Sequence, residues 1–258
     1  MKSRTVSDAS KRKPSLSDGE SAARQELRPY VGDAAVEEDL SYDPQQDPTV
    51  RSIGVMGAAG GYIDPAIRDR AYQLGRAIAG AGCVLITGAC PGLPYDSARG
   101  ARDAGGLSIG ISPALSRSEH VRKYESPVDA FDAIIYTGSG LMGREVDNIH
   151  SSDIVIIAGG RSGTLGEFSI AYDEGKLIGV LTGSGGIADQ IPVIVAMIQK
   201  ETGAAMIYDG DPSRLVARCI EEYQESHYRR PSTFVEEAVR APEDPIWPGS
   251  PSSAPQAS

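Results

Sequence analysis

Residues 158–167 read AGGRSGTLGE. They follow SSDIVII (151–157), whose apolar end reads as a buried strand, and precede FSIAYDEGKLIGVL (168–181), which reads as a helix running into another strand. A strand, a glycine-rich turn and a helix in succession are the unit from which parallel α/β sheets are built. The turn also brings chemistry. Gly163 and Thr164 open a helix whose free N–H groups and dipole favour a phosphate, and the Thr164 hydroxyl adds a donor. Glu167, about one turn inside, fits two roles: a capping carboxylate for its own helix, or a group that faces a ligand.

The pattern of that unit repeats outward in both directions. RSIGVMG (51–57), CVLITG (83–88), LSIGIS (107–112), DAIIYTG (132–138), DIVIIAG (153–159), KLIGVLTG (176–183) and AMIYDG (205–210) read as strands. Between them lie helical segments, among them DPAIRDRAYQLGRAIAGAG (64–82), YDSARGARDAGG (95–106), LMGREVDNIHSS (141–152), IADQIPVIVAMIQKETG (187–203) and DPSRLVARCIEEYQES (211–226). Asp64-Pro65 and Asp211-Pro212 each combine an N-cap with proline at the first helical position. Strands that are continuously apolar and alternate with helices indicate an α/β fold: a Rossmann-like three-layer sandwich with a mainly parallel sheet. The segment 112–130 is expected to be a loop, and its EHVRKYESP (119–127), with Arg122, Lys123 and Tyr124, either closes over a ligand or is simply exposed.

One domain over 51–228 accounts for the whole pattern. Residues 1–50 are polar, and residues 229–258 carry six prolines with the lone Trp247. Neither stretch has enough apolar residues to offset its ordering entropy, so both are expected to be disordered tails and the first targets of proteolysis. The 258-residue chain has a formal net charge of -10, which argues against a nonspecific grip on nucleic acid. No apolar run approaches a membrane span, and the basic start is not followed by the apolar segment of a secretory signal. Cys83, Cys90 and Cys219 form no disulfide framework, so a cytoplasmic setting is expected. Cys90, in a glycine turn, reads as a small loop-filling residue. With His120, His150 and His227 the cysteines make no metal spacing, and no metal or other cofactor is expected.

Ligands of open α/β sheets bind beyond the carboxyl ends of the strands. Three glycine-rich turns fall there: GVMGAAGGY (54–62), TGACPGLPYDSARGA (87–101) and 158–167. The first is not a G-x-G-x-x-G fingerprint. Arg144 and Asn148, at i and i+4, share a helix face that leads into the third turn. Asp153 is expected to end the turn before its strand.

The run REVDNIHSSDIVIIAGGRSGTLGE (144–167) resembles the signature of the LOG (LONELY GUY) family, once mislabelled lysine decarboxylases, within the SLOG superfamily of Rossmann-like nucleotide-binding proteins. That signature has a helical Arg, an Asp-led strand and P-G-G-x-G-T-x-x-E, which Arg144, Asp153, Gly163, Thr164 and Glu167 match. TGACPGLPYDSARGARDAGGLSIGISP (87–113) resembles the family's glycine loop, helix and following strand. The family's Pro is Gly159 here, its second Gly is Arg161, and its Arg-Lys pair is Arg144-Glu145. The R-x-x-x-N-x-x-S-S-D spelling is similar to the branch that includes molybdenum-cofactor carrier proteins.

The resemblance implies a site that binds a nucleotide or other phosphorylated small molecule through Gly88, Gly92, Asn148, Gly160, Arg161, Ser162, Gly163 and Thr164. Arg161 either adds charge to the phosphate or blocks the pocket. If the protein is an enzyme, the resemblance implies a phosphoribohydrolase that cleaves the N-glycosidic bond of a nucleoside 5′-monophosphate. Arg144 then holds the substrate, and Glu167 supports the oxocarbenium-like sugar or orients the water. The alternative is a nucleotide sensor or a carrier of a phosphorylated cofactor. The resemblance further implies a homodimer or higher homo-oligomer, paired through helices next to the site; LGEFSIAYDEG (165–175), with apolar residues beyond those needed to cover one sheet face, is the candidate.

Overall fold

The computed structural model describes residues 47–229. The expected tails, 1–50 but for its last residues and 229–258 but for its first, lie outside the described residues, as does Trp247. The apolar runs form a seven-stranded sheet in the order β4-β3-β2-β1-β5-β6-β7. Its strands are β1 (Ser52–Gly57), β2 (Val84–Thr87), β3 (Ser108–Ser112), β4 (Ala133–Tyr136), β5 (Ile154–Ala158), β6 (Leu177–Leu181) and β7 (Ala205–Asp209). Every neighbouring pair is parallel. Every residue of β5 and of β6 is buried, which is why these strands carry no alternating polar face.

Helices cover both faces. On one, α1 (Pro65–Gly80), α2 (Leu93–Asp103) and α7 (Pro212–Glu225) set Leu74, Ile78, Leu93 and Leu215 against Ile53 and Ile156. On the other, α4 (Gly140–His150), α5 (Ser162–Asp173) and α6 (Ile191–Ile198) set Ile149, Phe168 and Ile191 against Met56 and Ile157. The three-layer Rossmann-like sandwich is therefore as expected. Asp64 and Asp211 cap α1 and α7, accepting from Ala66 N and Arg214 N at 2.8 Å each.

Two segments differ from the sequence reading. The expected loop at 112–130 contains a helix, α3 (Arg117–Arg122). Its cause is local: Ser116 Oγ accepts from Glu119 N at 3.3 Å, and Glu119 Oε2 accepts from Leu115 N at 2.8 Å, a reciprocal cap. The helix expected over 187–203 is shorter. A 3₁₀ turn (Ala188–Gln190) precedes α6, which stops where Gln199 takes a left-handed conformation (φ 50°). Among the described residues no helix is long and apolar enough to cross a membrane.

The sheet order decides where a site can form. From β1 the chain builds outward through β2, β3 and β4, then returns to β1's other side and builds outward through β5, β6 and β7. The reversal leaves a crevice beyond the carboxyl ends of β1 and β5, where the connections diverge to opposite faces.

Candidate functional site

A cavity of about 410 Å³ occupies that crevice. Its floor comes from β1, its walls from the β2–α2 turn at Gly88 and Cys90, from α4 at Arg144 and Glu145, and from the start of α5. Ser162, Gly163 and Thr164 line it, and Arg161 lies at its edge. Helix α5 has no side-chain cap on its first turn. Leu165 is the first residue whose N–H donates within the helix, to Arg161 O at 2.9 Å. The N–H groups of residues 162–164 thus have no partner within the helix, these residues line the cavity, and the helix dipole at this end favours an anion.

Glu167 does not cap its helix. Because α5 starts at Ser162, the third helical residue is Thr164, and Glu167 is a further turn along. Its side chain is buried and turns towards α4. Arg144 Nη1 lies 3.3 Å and Asn148 Nδ2 lies 3.5 Å from Glu167 Oε1. These contacts are long for a charge-assisted group. Burial pushes the Glu167 carboxyl up to about 7; Arg144 opposes the shift and Glu145 adds to it. Arg144 Nε and Asn148 Oδ1, both buried, have no hydrogen-bond partner.

The remaining candidates fall around this centre in different ways. Gly88 gives Arg144 its room, since a Cβ there would overlap the guanidinium. Gly92 is not part of the cavity wall: it takes φ +81° ahead of α2, and a Cβ would collide with the Ala58 carbonyl. A Cβ on Gly160 would collide with the Thr164 side chain, so that glycine lets the turn fold back on α5. Asp153 lies at the opposite end of β5, where its Oδ2 accepts from Arg51 N and Ser52 N at 2.8 and 2.9 Å and ties β5 to β1. Cys90 lines the cavity, but burial pushes its thiol up to about 11, so it is protonated at neutral pH. Arg122, Lys123 and Tyr124 are not among the residues lining the cavity, and Lys123 is paired with Glu119 at 2.6 Å. His120 is a buried structural residue between Ser112 Oγ (2.8 Å) and Pro127 O (3.0 Å).

Sequence reading gave Glu145 no role beyond its departure from the family's Arg-Lys pair. The structure buries it beside Arg144, with its carboxylate against the glycine face of α5: a Cβ on Gly163 would lie 3.3 Å from Oε1, and one on Gly166 would lie 2.9 Å from Oε2. Burial raises its carboxyl, and Arg144 opposes that shift. The small residues at 163 and 166, three apart on one helix face, were the available signal.

A parallel sheet that reverses its order over an uncapped helix start, with a buried Arg–Glu pair at its wall, defines a Rossmann-like ligand-binding domain. The chain belongs to the SLOG cluster4 family, which it matches over residues 50–216. It is 40% identical over 129 residues to an uncharacterised protein of Archaeoglobus fulgidus, covering 50% of this chain and 78% of that one. Among solved structures it is similar to the molybdenum cofactor binding protein of Rippkaea orientalis (31% identity, TM-score 0.54, 67% of this chain and 97% of that one). It is also similar to the molybdenum cofactor carrier protein of Chlamydomonas reinhardtii (26% identity, TM-score 0.54, 67% and 98%).

Proposed function

We propose that the protein binds a nucleotide or a phosphorylated cofactor, with a phosphate against the first turn of α5 and Arg144 as its counter-charge. The observation that carries this reading is the incomplete bonding of Arg144 and Asn148. Both atoms are closed off from solvent, Arg144 in the cavity wall and Asn148 behind it; buried polar atoms are nearly always partnered, so this wall has bonding left to complete when a ligand draws Arg144 towards it. The two solved relatives named for molybdenum cofactor support a carrier of that general kind. The test is denaturation of the freshly purified protein and mass spectrometry of what is released. A phosphorylated small molecule in stoichiometric amount is expected; a protein that carries none and binds no purine monophosphate contradicts the proposal.

Glu167 favours a second reading, hydrolysis of a nucleoside 5′-monophosphate to free base and ribose 5-phosphate. A carboxyl group poised near pH 7 in a cavity suits acid–base work or support of a cationic sugar. Incubation with AMP and related monophosphates separates the readings. In the hydrolase, base is released and Glu167→Gln cuts turnover by about a hundredfold with little change in affinity. A wild-type protein that releases no base from any of them is not this hydrolase.

The same proposal includes self-association next to the site. Leu141 and Met142 of α4 are 57% and 80% exposed beside the cavity, whereas Leu165 and Ile170 of α5 pack partly against the core. Light scattering at micromolar concentration is expected to give a dimer or larger; a monomer mass excludes it.

A further inference from the structure

The turn at 158–167 borders two cavities. Beyond the one already described, a second, of about 310 Å³, lies between the β1–α1 turn, Gly159 and Gly160, and the β6–α6 turn at Ser184–Gly186. Arg161 lines both. The chain therefore passes from the second cavity at 159–160, through Arg161, to the first at 162–164. The Arg161 guanidinium lies over Gly60, whose Cβ, if present, would stand 3.4 Å from Nη2. Arg161 thus reaches back from the start of α5 across the β1–α1 turn, and no side chain among the described residues pairs with it.

The second cavity differs in chemistry from the first. Arg161 is its one cationic group, at the shared wall, and its own titratable groups are Asp64 and Tyr62. Asp64 uses Oδ1 to cap α1, at 2.8 Å from Ala66 N, which leaves Oδ2 to accept from a ligand. Tyr62 is 91% exposed at the rim. A carboxylate beside backbone N–H and C=O groups accepts hydroxyl hydrogen bonds and repels a second phosphate. The geometry points to a ligand that spans both cavities: a nucleoside diphosphate sugar or similar compound, with its phosphates at the α5 turn and Arg161 and its hydroxyl-rich end beside Asp64. This rests on the phosphate site proposed above and extends it to the far side of the phosphate. It also gives Arg161 a purpose where the family pattern has glycine: it bridges the cleft rather than blocking it.

The experiment is calorimetric titration of the full chain with AMP, ADP and ADP-glucose. ADP-glucose is expected to bind about tenfold tighter than AMP, the scale of one or two added charge-assisted contacts. Arg161→Ala is expected to bring the ratio of the two affinities to near one, whatever it does to AMP alone. Asp64→Asn keeps the cap, because Asn caps as well as Asp; it is expected to weaken ADP-glucose several-fold and leave AMP unchanged. AMP binding with ADP-glucose no tighter overturns the spanning ligand and leaves the phosphate site standing. An advantage for ADP-glucose that survives Arg161→Ala overturns the bridging role. If neither compound binds, the phosphate site itself fails and this inference fails with it.

Discussion

Asp209 and Glu167 are both buried carboxylates that face arginine, and they could hardly be treated more differently by the fold. Asp209, at the end of β7, receives Arg214 Nε at 2.6 Å and Nη2 at 2.7 Å, Asp211 N at 2.9 Å and Arg218 Nη1 at 3.1 Å. The Arg214 hydrogen bonds, the Asp211 N–H and Arg218 hold it well below the usual carboxylate range. Glu167, beside the switch point of the sheet, has one guanidinium at 3.3 Å, one amide at 3.5 Å and a carboxyl pushed up to about 7 by burial. Next to it Arg144 Nε and Asn148 Oδ1 stay unpartnered. The first cluster is saturated and holds β7 to α7. The second lacks the donors and acceptors that would complete it; its Arg144 and Glu167 line a cavity, and Asn148 is buried behind them. A residue count alone, one acid with its arginines, does not separate structure from site; the completeness of the bonding does.

Replacing Glu167 by Gln should give the largest change in stability, and in the unusual direction. The folded-state carboxyl titrates above the ordinary value, so its stabilising protonated form is fully present below about pH 4 and is lost as pH rises through about 7. The Gln variant escapes that loss. Urea unfolding should find it more stable than wild type by about 1–3 kcal/mol at pH 8, with the gap narrowing through pH 5 and nearly closed at pH 4. A variant less stable than wild type at pH 8 would mean that Glu167 is paired as firmly as Asp209, and the contrast would collapse.

Gly88→Ala sharpens the same contrast from the other partner. The added methyl overlaps Arg144 Nη1, so the guanidinium must leave Glu167 while the rest of the fold has no reason to change. AMP affinity should fall about tenfold, the cost of a displaced charged contact, with a circular dichroism spectrum like that of wild type. Unchanged affinity would remove Arg144 from the site.

Asp209→Asn should do least to binding. It is expected to lower the melting temperature by a few degrees at neutral pH and to leave AMP affinity as it was. Because Asp209 is depressed, its contribution is present above about pH 4, the ordinary value, and is lost as pH falls below it. The variant should therefore match wild type under strongly acid conditions. An effect on AMP binding would show that the two carboxylates are coupled through the sheet.

Much of this was legible in the amino-acid order. The apolar runs, the Asp-Pro caps and the glycine turns gave the three-layer sheet, because each is a local signal with a local cause. Arg144 and Asn148 could be placed on one helix face by spacing alone. The helix at 117–122 was also legible, in Ser116 and Glu119 three apart, but the surrounding polar residues read as loop. Other features had no local signal. Counting Glu167 as a cap requires a helix that begins at Leu165; the helix begins three residues earlier, at Ser162, where Gly160 lets the turn fold back on Thr164. The room that Gly88 leaves for Arg144, the burial of Glu145 against Gly163 and Gly166, and the second cavity behind Arg161 all join residues from separate turns. They exist only once the sheet order brings those turns to one edge.

On the proposed function the incomplete cluster, and not the saturated one, receives a phosphate. Calorimetric titration with AMP of wild type, Arg144→Ala and Arg214→Ala, side by side, tests it most directly. Saturable binding to wild type is expected, with a loss of roughly 2–3 kcal/mol for Arg144→Ala as for a charged hydrogen bond, and wild-type affinity for Arg214→Ala. Equal affinities in all three proteins, or no saturable binding to the wild type, would contradict it.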